Sequence, residues 1–437
     1  MRRRHRIALV CDFFVPRSGG VEIHIWSLAQ SLLKLGHHVV VVTHVYGDRV
    51  GVRVMTNGLR VYYLPLPAFA QDNALPALYV SLPLMREVFI RERVEIVHGH
   101  QATSSLSHEA MMHAKVLGGI YTVFTDHSLF GFADVASIHL NKVLKFSLSN
   151  ADMCIGVSEA CRANLVLRAS LDPARVKALP NAVDASMFTP NVALRDAAPR
   201  VNVVVLSRLA HRKGIDLVAR VVPLACARFP HVHFIIGGGG PKRLILDEMV
   251  ERFDLHSRVE LLGEVAHADV RNVLCRGSVF LNCSLTEAFC IAILEAACCG
   301  LVVVSTDVGG IREVLDADMI RFPDPAAPNV VAGLVDAIGD ALAVRVDAAD
   351  FHARLAARYN WDNVARETVA QVYDRVVQTP PTRLLDVLER GRGLGPLAGL
   401  LAVWVVALDA ILARVLEVLR PAKLILESAP PEVADYT

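Results

Sequence analysis

Nearly continuous runs of Val, Ile and Leu recur along this chain, at residues 7–11, 39–43, 94–97, 153–157, 203–206, 232–236, 279–281 and 301–305. A strand with one wet face alternates apolar and polar residues; a run that is apolar at both parities belongs to a strand covered on both faces. The stretches between them, such as 21–35, carry helical periodicity, and strand–helix–strand repetition implies parallel βαβ units. The predicted class is therefore α/β, with doubly wound, Rossmann-like domains. The rhythm pauses between Pro180 and Pro190, stays polar and irregular to about Pro199, and restarts with a new strand. This spacing predicts an N-terminal domain over 1–190 and a second over 200–360. Ligands of such sheets bind beyond the carboxyl ends of the strands, so two domains facing one another would share a cleft.

A length of 437 residues suits two or three domains. With 53% hydrophobic and 20% charged residues, the chain has apolar surface to spare, which points to a membrane or a partner subunit. Lys plus Arg (45) nearly balance Asp plus Glu (44), so no basic field attracts nucleic acid, and an anionic ligand must be held locally. The 9 cysteines are an odd number without a C-x-x-C pair, as expected of reduced, buried thiols and not of a zinc or disulfide framework. The basic start followed by residues 7–10 resembles a signal peptide, but Asp12 interrupts the apolar run. A first buried strand is the expectation, with the catalytic body on the cytosolic side.

Beyond the second domain, 361–377 reads as an amphipathic returning helix within 361–380, ended by Pro380 and Pro381. Residues 394–408 then carry no charge, and extension to 413 admits only Asp409. About 20 helical residues at ~1.5 Å each would just cross a ~30 Å hydrocarbon core. A carboxylate costs roughly 2–3 kcal/mol at its centre and less near the interface. The segment 394–413 is thus a short transmembrane or re-entrant anchor, or else an interfacial helix or one docked on another protein of a complex. Arg390 and Arg392 precede it and Arg414 and Arg420 follow, so charge does not orient it.

Several features converge on an anionic, sugar-bearing ligand. Gly19 and Gly20 follow the first strand and lead into a helix, where backbone can approach a ligand and free N–H groups face it; a tight turn would use the same residues. Arg208 and Lys213 follow the first strand of the second domain, where fixed positive charge suits a diphosphate; a solvated basic loop is the alternative. Gly237, Gly238, Gly239 and Gly240 precede Pro241, Lys242 and Arg243 after another strand, without the form of a P-loop or a dinucleotide fingerprint; they serve a nucleotide or a plain turn. Glu287 and Glu295 form an E-x7-E element, with Glu287 expected at a helix entrance and Glu295 deeper in an apolar helix. Carboxylates accept hydrogen bonds from the vicinal hydroxyls of a sugar or ribose; a helix-dipole partner and a buried structural acid are the plainer readings. His127, beside Asp126 at the end of a strand, either meets a sugar hydroxyl or is structural.

On these residues the chain resembles the family-4 retaining glycosyltransferases of the GT-B fold: the E-x7-E pair, the basic pair and the Gly-Gly loop. More narrowly it resembles the family of catalytic subunits of phosphatidylinositol N-acetylglucosaminyltransferases, which begin glycosylphosphatidylinositol anchor synthesis. The strings at 12–14, 19–24, 42–47, 61–65, 124–134, 212–216, 240–243, 269–273 and 284–290 carry that likeness across most of residues 6–375. The resemblance implies UDP-N-acetylglucosamine as donor, phosphatidylinositol as acceptor, an α-linked product, an endoplasmic reticulum membrane with the site facing the cytosol, and other membrane subunits. It gives Arg208 and Lys213 to the diphosphate, Glu287 to the transferred sugar, Glu295 to the ribose, His127 to a hydroxyl near the anomeric centre, and Gly19 and Gly20 to the phosphates. Asp409 departs from an uninterrupted membrane segment and leaves the mode of attachment open.

No Asp-x-Asp motif follows a suitable strand, so neither metal nor cofactor is expected, and the cationic and backbone donors would stabilise the departing UDP. Retention without an evident nucleophile implies, from the family, attack from the same face through an oxocarbenium-like state. A transferase with another sugar or lipid acceptor, and a non-catalytic scaffold, are the alternatives. A nicotinamide oxidoreductase would need G-x-G-x-x-G after the first strand, and residues 12–20 do not supply it.

Overall fold

Each apolar run named above forms a strand that pairs in parallel with its neighbours. Residues 3–17, 19–70, 73–74, 76–129, 135–197 and 199–428 are described by this computed structural model. Two compact units are present, Met1–Leu179 with Asp362–Thr437, and Pro180–Trp361.

The first unit holds strands β1 (Arg6–Val10), β2 (His38–His44), β3 (Gly51–Val54), β4 (Arg60–Leu64), a small hairpin β5 (Ala68–Ala70) and β6 (Asn73–Ala74), then β7 (Ile96–His100), β8 (Tyr121–Asp126), β9 (Met153–Gly156) and β10 (Val176–Ala178). Apart from the hairpin they form one sheet in the order β10-β9-β8-β7-β1-β2-β4-β3, parallel except for the β3–β4 pair. Side chains alternate across it. Ile7, Leu9, Val39 and Val41 enter one core with helix α1 (Gly20–Lys34). Ala8, Val10, Val40 and Val42 enter the other with α2 (Ser81–Arg91), α3 (Ser105–Leu117), α4 (Val135–Leu148) and α5 (Glu159–Ala169). Both parities of β1 and β2 are dry, which is why their runs are nearly continuous in apolar residues.

The second unit has β11 (Val201–Leu206), α6 (Ile215–Arg228), β12 (Val232–Gly237), α7 (Arg243–Arg252), β13 (Val259–Gly263), α8 (His267–Cys275), β14 (Val279–Asn282), α9 (Ile291–Cys298), β15 (Val302–Ser305), β16 (Ile320–Arg321), α10 (Val330–Leu342) and α11 (Ala348–Arg358). Its six-stranded parallel sheet runs β13-β12-β11-β14-β15-β16. In both sheets strand order reverses beside the first strand, at β7/β1 and at β11/β14, and a crevice opens at such a reversal.

The chain then returns to the first unit through α12 (Trp361–Thr368), a π turn (Val369–Tyr373) and α13 (Asp374–Val376). Ala365, Val369, Val372 and Tyr373 join the core of Ile7 and Leu9. Helices α14 (Leu384–Arg392), α15 (Pro396–Leu419) and α16 (Ala422–Glu427) follow. Among the described residues, α15 is the one helix long and apolar enough to cross a membrane, and it outruns the expected 394–413 at its end. Asp409 does not interrupt it: the side chain is 0% exposed, and His113 Nδ1 of α3 lies 2.8 Å from Asp409 Oδ2. Asp409→Ala leaves that imidazole nitrogen without its partner. An expected loss of about 2 kcal/mol would appear as earlier thermal unfolding, with Asp409→Asn milder; unchanged melting of both variants would count against the contact. All 9 cysteines are unpaired, and all but Cys290 are buried.

Candidate active site

In the second unit, chemistry gathers where strand order reverses. Strand β11 ends at Leu206 and leads through the exposed Arg208 into a 3₁₀ turn, His211–Lys213. Gly214, with φ 65°, closes that turn and starts α6. The neighbouring β14 ends at Asn282 and leads into an irregular loop bearing Glu287, ahead of α9. The helix opens at Ile291, so Glu287 precedes it instead of standing in its first turn, while Glu295 lies within it.

These two strand ends are tied together. Lys213 Nζ is ion-paired with Glu287 Oε1. The Ser284 hydroxyl sits 2.8 Å from Glu287 Oε1 and 2.8 Å from Asn282 Oδ1, and Asn282 Nδ2 donates to Ser305 Oγ at 3.0 Å. The Leu285 N–H donates to the Arg212 carbonyl at 2.9 Å. Both bonds to Glu287 reach Oε1, and Oε2 takes none among the described residues, which leaves an acceptor for a hydroxyl. Burial disfavours charge on Lys213, but attraction to Glu287 and Cys290 and the hydrogen bond to Glu287 outweigh it, so the ammonium titrates above the usual lysine range. Arg208 is near enough to oppose that shift and makes no ion pair among the described residues. A held ammonium and an unpaired guanidinium side by side suit a diphosphate.

The glycine turn after β12 meets this loop. A Cβ at Gly238 (φ 142°) would lie 1.8 Å from the Ser207 carbonyl oxygen, and one at Gly240 (φ 147°) 2.6 Å from that of Leu209. Leu209 N donates to Gly239 O at 2.8 Å, and Lys242 N to Leu209 O at 2.9 Å. The close approach at Gly238 and Gly240 is thus to the protein's own backbone, and it positions the Arg208 loop.

Burial pushes the Glu295 carboxyl up to about 7, against ~4.3 in an unfolded chain. Since the folded value is the higher one, this group's contribution to stability is whole below about pH 4 and is lost as pH rises through about 7. Glu295→Gln, permanently neutral, is expected to melt with wild type near pH 4 and to exceed it by up to ~3 kcal/mol at about pH 8. Coincident melting at both pH values would show an unperturbed carboxyl.

In the first unit the reversal brings histidines together. His127 follows β8; His98 and His100, two apart, point to the same face of β7; His24 lies on α1. His100 Nδ1 and His127 Nε2 are 3.3 Å apart, and donor atoms of His24, His100 and His127 all fall within 4.8 Å of one another, a set that could hold a metal ion. Burial, reinforced by the neighbouring imidazoles, holds His100 and His127 well below the ordinary histidine range, so both are neutral near pH 7. His98 is lowered to about 3 by burial and fixed by the Tyr373 hydroxyl and Thr125 Oγ1, each at 2.7 Å. Asp12, buried at the end of β1, accepts from Ala74 N (2.8 Å), Ser104 Oγ (2.7 Å) and Leu106 N (3.0 Å), which lashes β1 to α3. Gly19 has an extended backbone (φ −167°) and caps α1, which begins at Gly20. Residues 130–134 of the string at 124–134, and Ser18, lie outside the described residues. His98 and His100 were missed in the sequence because a strand placed at 94–97 stops short of them, and the H-x-H spacing at a strand end was the available signal; His24 stood within the string at 19–24 without a role.

Residues 44–134 match the family described as PIGA (GPI anchor biosynthesis), and residues 200–343 match Glycosyl transferases group 1. The A subunit of phosphatidylinositol N-acetylglucosaminyltransferase from Arabidopsis thaliana is 49% identical over 425 residues, covering 97% of this chain and 94% of that one. The Homo sapiens protein of the same name is 50% identical over 375 residues, covering 86% and 77%. Among solved structures, sucrose-phosphate synthase from Thermosynechococcus elongatus has a TM-score of 0.71 at 22% identity, and Anabaena HepE in complex with UDP and glucose 0.64 at 18%; each match covers 86% of this chain and 100% of the other. Two parallel sheets of this topology, with a basic and acidic pair at the second sheet's reversal, are those of a glycosyltransferase with the GT-B fold. At this level of identity and coverage, the chain belongs to the PIGA family of phosphatidylinositol N-acetylglucosaminyltransferase subunits.

Proposed function

We propose that this chain transfers N-acetylglucosamine from UDP-N-acetylglucosamine to the inositol of phosphatidylinositol, with retention, as the catalytic subunit of a multisubunit complex. The endoplasmic reticulum membrane, with both units on the cytosolic side, is its proposed place. The observation that carries the reading is the Lys213–Glu287 pair at the carboxyl ends of β11 and β14, beside Arg208; the names of the relatives supply the donor sugar and acceptor.

In this mechanism Arg208 and Lys213 neutralise the diphosphate as the anomeric C–O bond breaks, an electrostatic contribution made by groups already in place. Glu287 accepts from a sugar hydroxyl through Oε2 and Glu295 from the ribose. Gly238 and Gly240 shape the loop that receives the nucleotide. Within the first unit, the turn at Gly19 and Gly20 is assigned to a phosphate and the neutral His127 to a substrate hydroxyl. The acceptor hydroxyl attacks from the face that UDP leaves, through an oxocarbenium-like state, and its proton passes to the departing diphosphate oxygen.

The test is transfer of labelled N-acetylglucosamine from UDP to phosphatidylinositol by complexes containing wild-type or Lys213→Ala chain. Loss of one charged contact in the transition state lowers turnover at least about tenfold, or ~1.4 kcal/mol. Wild-type turnover in the variant would remove Lys213 from the site, and transfer of a different sugar would displace the proposed donor.

A further inference from the structure

Helix α15 inverts the pattern of a soluble surface helix. Its inner face is built from small residues: a Cβ on Gly399 would lie 2.5 Å from the Arg392 carbonyl oxygen, and Ala402, Ala410 and Ala413 are buried. Its outer face is large and apolar, with Leu397 85%, Trp404 59% and Val418 80% exposed. Small residues let helices pack closely, while a stripe of large apolar side chains with a tryptophan suits the boundary of a bilayer. The C-terminal half of the helix is tied to α2 and α3. Asp409 meets His113, Arg86 is ion-paired with Glu417, and Arg420 Nη2 donates to Glu87 Oε1 at 3.1 Å. With Asp409 buried against His113, the side of α15 left for lipid is its outer, apolar one.

Directly behind it is a cavity of about 230 Å³ between α3, α4, α14 and α15. Met111, Met112, Val143, Phe146, Val387 and Val406 give it an apolar wall, and Val143, 45% exposed, marks where it reaches the surface. It exceeds the roughly 150 Å³ of an apolar cavity that stays dry and admits benzene. Val406 lines it from the helix whose other side carries Trp404, so cavity wall and outer apolar face belong to one element. Methionine-lined walls adapt to a flexible guest. We propose that this cavity holds one acyl chain of a membrane phospholipid, drawn from a bilayer that the outer face of α15 touches. The chain comes either from the phosphatidylinositol acceptor, which rests on the function proposed above, or from a bystander lipid.

The complex containing the full chain is reconstituted in phosphatidylcholine vesicles doped with a phosphatidylcholine bearing a diazirine on one acyl chain. After photolysis, label is expected on α3 or α4 near Met111, Met112 and Phe146, and Val143→Trp, which fills the rim, lowers it at least fivefold. Label confined to the outward side chains of α15 in the wild type overturns the cavity assignment. If α15 takes no label either, lipid contact of its outer face falls too, and that face belongs to a protein partner. The source is read from KM. If the acceptor's own chain is bound, Val143→Trp raises KM for dipalmitoyl phosphatidylinositol about fivefold and leaves the dibutanoyl form unchanged. If a bystander is bound, both KM values stay while label is still lost, and the site stands. Should the wild-type complex transfer sugar to neither acceptor, the proposed function fails while the labelling still decides the cavity.

Discussion

Glu287→Ala is expected to lower N-acetylglucosamine transfer by about 10²–10³, the cost of removing one placed electrostatic contact, roughly 2.7–4 kcal/mol. Two losses combine. The sugar loses the acceptor at Oε2, and Lys213 loses the carboxylate that fixes its direction and sustains its charge. Glu287→Gln separates them, since an amide oxygen still accepts from a hydroxyl but no longer offers Lys213 a full negative charge. The amide should therefore fall between wild type and alanine, with the deficit in kcat exceeding that in donor KM. Equal turnover of wild type, Gln and Ala in the reconstituted complex would mean that Glu287 only ties two loops together.

The second large effect is structural. Gly214→Ala puts a methyl group 1.8 Å from the Cys283 carbonyl oxygen at φ 65°. Neither strand end can yield, because Cys283 follows β14 and Gly214 closes the turn that carries Lys213. A loss on the order of 4 kcal/mol is expected, with transfer abolished as Lys213 moves off Glu287. Gly47 is the control: its φ of 57° is similar, but a Cβ there meets nothing within 4 Å. Gly47→Ala should cost about 1 kcal/mol, the left-handed penalty alone. Thermal unfolding of the two variants decides the matter, and equal melting would show that the collision at Cys283 is relieved by movement.

The sheets were legible because a strand covered on both faces writes its burial into every position, as at 203–206 and 232–236. Strands with an exposed side were less so: Gly51–Val54 is exposed along its length and was not singled out. The residues that meet at the second reversal were legible from position, since Arg208, Lys213 and Glu287 each follow an apolar run. Their pairing was not, because 74 residues separate Lys213 from Glu287 and only the fold closes that distance. Gly238 and Gly240 show the opposite limit: a glycine run signals close approach without saying to what, and here a carbonyl of the same chain takes the space. Asp409 is the sharpest case. In sequence it is a flaw in an apolar segment; its partner His113 stands 296 positions away.

The path of the backbone has a consequence for biosynthesis. Residues 180–361 make up a unit of their own, inserted into a host whose last core residues, among them Ala365, Val372 and Tyr373, come after it. A ribosome therefore delivers the guest in full while the host still awaits Tyr373, the residue whose hydroxyl fixes His98. At roughly 5–20 residues per second, the host spends seconds with part of its sheet uncovered. Until then the N-terminal part presents apolar sheet of the kind that chaperones cover, while the inserted unit already holds every residue of its own core.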